Sequence, residues 1–231
     1  MGVRGRFVPW FRSMFTNREE AGRQLAQRLL HVKDEHADGV VVLGLPRGGV
    51  VVAAEIARVL DAPLDVLVVR KLGAPGQPEL AIGAVTNGEQ PQQVLNQQVI
   101  HMLGVSEAYL QEEIGRQLVE VRRRQELYRG GRPAVRLEGR TVIVADDGIA
   151  TGATVRAGVQ ALRRSALGRI VLTVPVAPPE VAESLRTEVD QLVCLHTPSA
   201  FGAVGAFYAD FFQTSDAEVI ALLEQAAMSD E

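Results

Sequence analysis

The stretch Thr141–Thr154 constrains the fold and function of this chain more than any other part of the sequence. Its β-branched run Val142–Val144 predicts a buried strand, because branched side chains suit a pleated surface that is covered on both faces. Two adjacent aspartates follow, and then a loop of Gly, Ala and Thr opens a predicted helix, Val155–Arg164. Free N–H groups at a helix start, with Thr hydroxyls, bind phosphate well, and paired carboxylates can hold vicinal hydroxyls. We therefore predict a site for a phosphorylated sugar.

The same stretch resembles the 5-phosphoribosyl-1-pyrophosphate (PRPP) motif of type I phosphoribosyltransferases. In that motif four apolar residues precede two acids and a loop with the pattern Thr-Gly-x-Thr, and here it reads Val-Ile-Val-Ala-Asp-Asp-Gly-Ile-Ala-Thr-Gly-Ala-Thr. Ala145 and Gly148 stand where larger aliphatic residues are usual. A buried strand with an acidic turn and a capped helix is the alternative, which the complete spacing disfavours. The resemblance implies that PRPP is bound with Mg²⁺, the metal being held by the two aspartates directly or through water. The implied ligands are Asp146, Asp147, Gly148, Ala150, Thr151, Gly152, Ala153 and Thr154.

A second strand–loop–helix unit occurs earlier in the chain. The predicted strand Val40–Leu45 leads into Pro-Arg-Gly-Gly, and an apolar helix is predicted over Val50–Leu60. Arg47 can bind phosphate oxygens with two N–H groups, while Gly48 and Gly49 present backbone N–H groups. Alone, this would more often be an ordinary βα turn. The resemblance implies that these three residues bind the pyrophosphate group of PRPP.

The third predicted strand, Leu64–Val69, ends in Arg70 and Lys71. Cations at the carboxyl end of a parallel strand face the crevice where such sheets bind ligands, although a pair of solvated surface charges is the alternative. A similar Arg-Lys pair contacts pyrophosphate in adenine and hypoxanthine–guanine phosphoribosyltransferases. The resemblance therefore favours Lys71, with Arg70 as a second candidate.

A segment rich in Gly and Pro follows and is predicted to be a lid loop over about residues 72–92. Long loops inside compact domains often close over ligands, and this one matches the position of the flexible loop that closes over PRPP in the family. Within it, Ala81–Val85 and Gln93–Leu95 can pair as a hairpin. We expect Glu79, on this lid, to supply or remove the proton of the acceptor.

Residues 197–213, called the hood below, contain five of the chain's ten Phe and Tyr residues. These rings either stack on a flat ligand or dock the segment on the core, and the sequence leaves both open. A loose resemblance to the end of purine phosphoribosyltransferases implies that Phe201 stacks on the base and that Asp210 lines the acceptor pocket. Ala150 and Glu188 replace an aspartate and a lysine that hypoxanthine–guanine enzymes use, which weakens a 6-oxopurine assignment and leaves the acceptor open.

Five strands of parallel type alternate with helices, at residues 40–45, 64–69, 141–145, 169–174 and 191–195. This order predicts an α/β fold: a doubly wound, mainly parallel five-stranded sheet flanked by helices, like that of type I phosphoribosyltransferases, with the lid and the small hood added. We predict a disordered extension at residues 1–13 and a single domain at 14–231. Further helices are predicted at Asn17–Leu30, Ser106–Tyr128, Pro179–Arg186 and Asp216–Ala227.

Composition narrows the class of protein. A chain of 231 residues with 47% apolar content can bury a core, and its net charge of −4 argues against a nucleic-acid-binding surface over the whole protein. No apolar run reaches the roughly 20 residues of a membrane helix. The single cysteine, Cys194, cannot form an intramolecular disulfide, which fits a reducing compartment, and we expect the cytoplasm. The expected partners are PRPP and an acceptor base, and a homodimer is open.

The resemblance spans about Phe15 to Gln213 and is strongest to bacterial phosphoribosyltransferases of unassigned acceptor, which share the patterns Asn-Arg-x-x-Ala-Gly and Leu-Pro-Arg-Gly-Gly. It implies an enzyme that displaces pyrophosphate from C1 of PRPP with a nitrogen nucleophile. The implied catalytic residues are Asp146, Asp147, Lys71 and Glu79. The alternative is a PRPP-sensing regulator on the same fold, which the acidic charge disfavours. A phosphatase-like or receiver-like protein would need other acidic patterns.

Overall fold

The computed structural model describes residues 13–35, 39–87 and 92–229. The predicted extension at residues 1–13 lies outside this part, apart from its last residue. Seven α-helices occur in the described residues: α1 (Arg18–Glu35), α2 (Gly48–Leu60), α3 (Gln97–Met102), α4 (Glu107–Arg129), α5 (Ala153–Leu162), α6 (Pro179–Arg186) and α7 (Asp216–Ser229). The strands are β1 (Val40–Gly44), β2 (Leu64–Val66), β3 (Val69–Ala74), β4 (Gln77–Thr86), β5 (Gln92–Leu95), β6 (Thr141–Ala145), β7 (Arg169–Val176) and β8 (Gln191–His196).

The main sheet has five parallel strands in the order β2-β1-β6-β7-β8. All residues of β1 and β6 are buried, as their β-branched sequences predict for strands covered on both faces. The predicted doubly wound parallel sheet is therefore confirmed, and β6 has the predicted bounds. The other strands differ from prediction by one or two residues at their ends, except β2.

Side chains alternate between two apolar layers. Val42 and Ile143 point into a layer with helices α1, α2, α4 and α7, while Val41, Val142 and Val144 point into a layer with α5 and α6. The predicted N-cap of the longest helix is confirmed, because the Ser106 hydroxyl accepts from the Tyr109 N–H at 3.3 Å. The sheet is thus enclosed, and its strand ends are left for binding.

The prediction of a parallel strand over Leu64–Val69 is wrong beyond Val66. The Asn87 side chain occupies the place of a further strand residue there: its Oδ1 accepts from the Val68 N–H at 2.7 Å and its amide donates to the Val66 carbonyl at 3.0 Å. The chain then leaves the main sheet and enters a separate antiparallel sheet, β3-β4-β5. Consequently Arg70 and Lys71 lie inside β3 and not at the end of a parallel strand.

This antiparallel sheet also corrects the prediction of a lid loop over about residues 72–92. Most of the described part of that segment is strand, and Leu72, Ile82 and Val85 are buried in the layer that contains α4. The predicted hairpin is confirmed, since β4 pairs with β5 with Ala84 opposite Val94. Glycine and proline mark a turn and a bulge of the sheet here. Closure over a ligand stays a prediction.

The hood docks on the start of the described chain. The Phe15 N–H donates to the Phe207 carbonyl at 3.0 Å, and the Ala209 and Asp210 N–H groups donate to the carbonyls of Phe15 and Thr16, both at 2.8 Å. Phe15, Phe207 and Tyr208 form a buried cluster at the end of β7. The hood is therefore held close to the strand ends.

Candidate active site

Two loops lie side by side at the carboxyl edge of the main sheet. We call Pro46–Gly49 the glycine loop and Asp146–Thr154 the carboxylate loop. They follow β1 and β6, which are neighbours with Gly44 opposite Ala145, and the Leu45 N–H donates to the Ala145 carbonyl at 3.0 Å. Ligands of open parallel sheets bind at this edge. The sheet order therefore brings together the two motifs that the sequence singles out.

The two loops approach so closely that there is no room for a side chain at Gly48 or Gly49. A Cβ atom placed on Gly48 would overlap Asp147 Oδ2, and one on Gly49 would lie 2.8 Å from the Ala145 carbonyl oxygen and 2.9 Å from Asp146 Cα. Helix α2 begins at Gly48, and the Val50 N–H donates to the Arg47 carbonyl at 3.1 Å. The N–H groups of Gly48 and Gly49 precede it and have no acceptor within the helix, and these two residues lie beside the carboxylate loop. An element that could bind an anion and one that could bind hydroxyl groups therefore lie next to each other.

The paired carboxylates are costly to ionise. Burial raises the pKa of Asp146 well above its usual range, and the charge of Asp147 raises it further. Burial also raises the pKa of Asp147, although its hydrogen bond with Arg18 opposes the rise. The Asp147 backbone N–H donates to Asp146 Oδ1 at 2.9 Å, which holds the Asp146 carboxylate against the backbone of Asp147. A ligand that brings hydroxyl donors or a cation would stabilise the ionised pair.

The remainder of the carboxylate loop has the form of a phosphate cradle. Gly152 has a left-handed φ of +76° and precedes the first residue of α5, Ala153. Thr151, Ala153 and Thr154 are exposed, as is Ala150, so the helix start opens to solvent. Gly148 is required for a different reason, which is lack of space: a Cβ atom there would overlap Val204 of the hood. The packing of the hood explains why no aliphatic residue stands at Gly148.

The structure separates the two cations of β3. Arg70 Nε donates to Gln117 Oε1 of α4 at 3.0 Å, so this side chain is directed to that helix. Successive strand side chains point to opposite faces, which places Lys71 on the face of Val69. Val69 lies against α5, since a Cβ on Gly158 would be 3.3 Å from Val69 Cγ2. Lys71, which is exposed, is thus on the face of β3 that meets α5, the helix that follows the carboxylate loop.

The predicted acceptor residues are less closely grouped. Glu79 lies in β4, and its side chain is outside the described part of the structure. The Phe201 ring packs on the Phe207 ring in the hood at 5.1 Å between centroids, and Asp210 is exposed, with Oδ1 accepting from the Phe212 N–H at 3.2 Å. Phe207 and Tyr208 are buried, so docking on the core is the role of these two rings.

Sequence reasoning gave no role to Arg18, which contacts the site directly. Its Nε donates to Asp147 Oδ2 at 2.7 Å, its Nη1 donates to the Phe212 carbonyl at 2.7 Å, and its guanidinium carbon lies 3.8 Å from the Phe211 ring centre. Arg18 belongs to the pattern Asn-Arg-x-x-Ala-Gly, so the sequence marks this residue as part of the family resemblance but does not indicate what it contacts. The Tyr208 hydroxyl also reaches the site and donates to the Asp147 carbonyl at 2.5 Å.

Tyr208 can hold this contact over a wide pH range. Burial raises the pKa of its phenol above the usual range, and the charge of Asp147 raises it further. The phenol therefore stays protonated and continues to donate. Tyr208 and Arg18 together fix the backbone and the carboxylate of Asp147 from the hood side.

A cavity of about 520 Å³ lies elsewhere in the molecule. It borders the segments that precede β6 and β7, and a buried ion pair between Asp65 and Arg129 forms part of its wall, with Arg129 Nη2 2.7 Å from Asp65 Oδ2. It includes none of the predicted site residues. The candidate active site is thus an open group of loops at the opposite ends of these strands.

Comparisons with known proteins identify the family of this chain. A family model described as a phosphoribosyl transferase domain matches residues 15–211. Two Mycobacterium tuberculosis proteins, named "Putative phosphoribosyl transferase" MT0597 and Rv0571c, are each 49% identical over 213 residues. The match covers 92% of this chain and 47% of those proteins, so the chain spans about half of their length.

The crystal structure of TT1426 from Thermus thermophilus is similar over the whole domain. It has 43% sequence identity and a TM-score of 0.80, and the match covers 91% of this chain and 98% of that chain. Within the described residues, none of the helices is both long and apolar enough to span a membrane.

Proposed function

Because the chain belongs to the phosphoribosyl transferase domain family, we propose that it binds PRPP with Mg²⁺ and transfers the phosphoribosyl group to a nitrogen acceptor, a nucleobase, with release of pyrophosphate. The observation that carries this proposal is the contact between the glycine loop and the carboxylate loop, where Gly48 lies directly against Asp147. PRPP carries a pyrophosphate next to two ribose hydroxyls. A site with free N–H groups beside paired carboxylates suits that combination.

Each part of PRPP has a matching element. The 5′-phosphate suits the start of α5, with Thr151 and Thr154 as hydroxyl donors and Gly152 as the point of close approach. The ribose hydroxyls suit Asp146 and Asp147. The pyrophosphate suits Arg47 and the N–H groups at the start of α2. The remote 5′-phosphate then contributes binding energy that orients the reacting carbon.

In the proposed reaction, the acceptor nitrogen forms a bond to C1 of the ribose while the bond from C1 to the pyrophosphate oxygen breaks. Positive charge develops on the ribose ring and negative charge on the leaving group. The two aspartates would stabilise the positive charge on the ribose ring, and Arg47 and Lys71 would stabilise the negative charge on the leaving pyrophosphate. A preorganised charge of this kind contributes a factor of about 10²–10³ in rate. The proton of the acceptor passes to a base, for which we propose Glu79.

The carboxylate loop also fits Mg²⁺. Mg²⁺ commonly uses one or two carboxylates, several waters and substrate phosphates, so a cage of protein ligands is not required. Groups of three or more metal-binding side chains do not occur among the described residues. The two carboxylates, whose ionised forms burial disfavours, supply the hard oxygen ligands. When bound, Mg²⁺ would neutralise charge on the leaving pyrophosphate.

The acceptor is assigned only by class, and we place the reaction in the cytoplasm. Ala150 is exposed, and Glu188 forms an ion pair with Arg156 at 2.5 Å. Neither residue can act as the aspartate or the lysine of a 6-oxopurine site. Adenine and pyrimidines are therefore the first bases to test.

The decisive measurement is calorimetric titration of PRPP with and without Mg²⁺. We expect Mg²⁺-dependent binding to the wild type and a loss of about 10- to 100-fold in affinity for Asp147→Asn, the value of a hydrogen bond to a charged group. Asp61→Asn is the matched control, since Asp61 is an exposed helix C-cap away from the site. Absence of PRPP binding to the wild type would refute the proposal.

A second assay separates the enzyme from a PRPP-binding regulator. Pyrophosphate release is measured with a panel of nucleobases, on the wild type and on Glu79→Gln. Release with one base supports transfer, and a normal rate in Glu79→Gln would exclude Glu79 as the base. PRPP binding without release from any base, together with retention of RNA or DNA, would favour the regulator.

A further inference from the structure

We propose that Arg18 is a positioning residue that fixes Asp147 for recognition of a ribose hydroxyl and ties the hood to the carboxylate loop. This inference rests on the proposed function and concerns the same site. It gives a specific role to the first turn of α1, which belongs neither to the glycine loop nor to the carboxylate loop. The role is indirect, because Arg18 acts through Asp147.

The first line of evidence is the enclosure of the ion pair. The Arg18 side chain is 11% exposed and that of Asp147 is 16% exposed, with 2.7 Å between Nε and Oδ2. Ion pairs on open surfaces contribute little, whereas a partly buried pair with good hydrogen-bond geometry restricts both side chains. Arg18 therefore holds Asp147 in one orientation.

The second line of evidence is that only one oxygen of Asp147 is engaged in this way. Oδ2 receives the Arg18 N–H and lies against Gly48, where a Cβ would overlap it. Oδ1 is then the oxygen that we expect to accept from a sugar hydroxyl. The backbone of Asp147 is fixed as well, by its N–H bond to Asp146 and by the Tyr208 hydroxyl on its carbonyl. Such fixing of a binding group reduces what a ligand must order.

The third line of evidence is the link to the hood. Arg18 Nη1 donates to the Phe212 carbonyl, and its guanidinium covers the Phe211 ring, which packs on Tyr208 with 4.9 Å between ring centroids. One side chain of α1 thus contacts both the carboxylate loop and the hood. A hood that is correctly placed and an aspartate that is correctly turned depend on the same residue.

The fold itself does not depend on Arg18 alone. The hood is also held by backbone hydrogen bonds from Ala209 and Asp210 to Phe15 and Thr16, and by the buried rings of the Phe15 cluster. Removing the guanidinium should therefore leave the chain folded. This makes a positioning role separable from a purely structural one.

The experiment compares sugar phosphates that differ only in one hydroxyl group. Dissociation constants of ribose 5-phosphate and its 2-deoxy and 3-deoxy analogues are measured for the wild type, Arg18→Met, Arg18→Lys and the control Arg23→Met. Arg23 is on the same helix, is about half exposed and lies 3.5 Å from Glu55. The readout is the ratio of affinities for ribose and deoxyribose phosphates.

We expect the wild type to prefer ribose 5-phosphate by about tenfold over at least one deoxy analogue, and Arg18→Met to reduce this ratio to about one. The deoxy analogue should bind both proteins almost equally, because its phosphate contacts are retained. Arg18→Lys, which keeps the charge without the planar fork, should recover part of the ratio. Arg23→Met should keep the wild-type ratio.

Two results with Arg18→Met would overturn the inference while leaving the proposed function intact. One is an unchanged ratio in Arg18→Met, and the other is an equal loss of affinity for all three sugars, which is what a structural role gives. Circular dichroism shows whether the variants fold, and Arg18→Lys gives the answer if Arg18→Met does not. If the wild type binds PRPP with Mg²⁺ but no ribose 5-phosphate, the inference fails and the proposed function stands. If it binds neither, the proposed function fails as well.

Discussion

The glycine loop and the carboxylate loop each connect a buried parallel strand to a helix, and yet their glycines meet different physical demands. Gly48 is needed for space, because any Cβ would overlap Asp147 Oδ2. Gly152 is needed for its φ of +76°, since the nearest atom to an added Cβ is Val181 Cγ1 at 3.2 Å. Glycine thus serves close approach at Gly48 and backbone conformation at Gly152.

The two loops also differ in charge. The carboxylate loop holds two partly buried acids, whose raised pKa values reflect an electrostatic cost. The glycine loop carries one cation, Arg47, about one-third exposed and 3.9 Å from Asp216 Oδ1. We therefore expect ionisation of the carboxylate loop to lower the stability of the fold, and no comparable effect from the partly exposed Arg47. Three substitutions test these contrasts, from the largest expected effect to the smallest.

Gly48→Ala should be the most damaging change. The added methyl group overlaps Asp147 Oδ2 and would lie 2.6 Å from Arg18 Nε, so the ion pair must shift. We expect a loss of about 1–3 kcal/mol in unfolding free energy from overpacking. Affinity for ribose 5-phosphate, measured by calorimetry, should fall about 10- to 100-fold because the binding group is misplaced.

The matched control for this change is Gly115→Ala. Gly115 lies in the interior of α4 with no atom within 4 Å of an added Cβ. Alanine there should raise the unfolding free energy by up to about 1 kcal/mol and leave binding unchanged. Equal behaviour of the two variants would show that the close approach of the loops is not a constraint.

Gly152→Ala should have an intermediate effect, from backbone strain. A left-handed conformation costs a residue with a Cβ about 1–2 kcal/mol, which denaturant unfolding would detect. Gly152→Asn should recover part of this loss, because Asn tolerates the left-handed region. Gly48→Asn should give no such recovery, because the limit at Gly48 is space. Recovery at both positions would contradict the distinction between the loops.

Asp146→Asn should stabilise the fold at neutral pH while binding is lost. The pKa of Asp146 in the folded state lies above its ordinary 3.8, so the folded protein binds protons more readily than the unfolded chain. Stability of the wild type therefore decreases as pH rises through that raised pKa, and the amide removes this decrease. In thermal unfolding in EDTA between about pH 4 and 8, Asp146→Asn should have a higher melting temperature than the wild type, and this difference should shrink toward low pH.

Arg47→Gln, the corresponding neutral change in the glycine loop, is the control for this measurement. Arg47 is partly exposed, so its neutralisation should produce no comparable gain. If Asp146→Asn were less stable than the wild type at neutral pH, the ionised pair would be compensated by its surroundings in the free protein. That result would contradict the proposed electrostatic difference between the two loops.

Much of this arrangement could be predicted because it is encoded locally. The β-branched runs of β1 and β6, the Ser106 cap and both βα motifs depend on neighbouring residues, and the parallel sheet follows from their alternation. Sheet order then brings the motifs together. The two loops of the site were identifiable from the sequence for this reason.

What could not be predicted depends on distant contacts. Arg18 and Asp147 are 129 positions apart, and no local pattern pairs them. The glycines and prolines of the antiparallel sheet favour an irregular loop when the sequence is considered alone, whereas in the structure they mark a turn and a bulge. Strand β2 ends early because the side chain of Asn87, a residue 21 positions beyond Val66, makes the hydrogen bonds that a neighbouring strand would make.

The docking of the hood onto the first helix has a consequence for biosynthesis. Arg18 and Phe212 are 194 positions apart, so this contact cannot form until nearly all of the described chain has left the ribosome. At a synthesis rate of roughly 5–20 residues per second, the arginine waits on the order of ten seconds or more for its partner. The central strands can pair during that time, because their contacts are made earlier. The hood side of the candidate site is therefore completed late. If the proposed function holds, a nascent chain should be unable to bind the sugar phosphate correctly until its last strands and hood are in place.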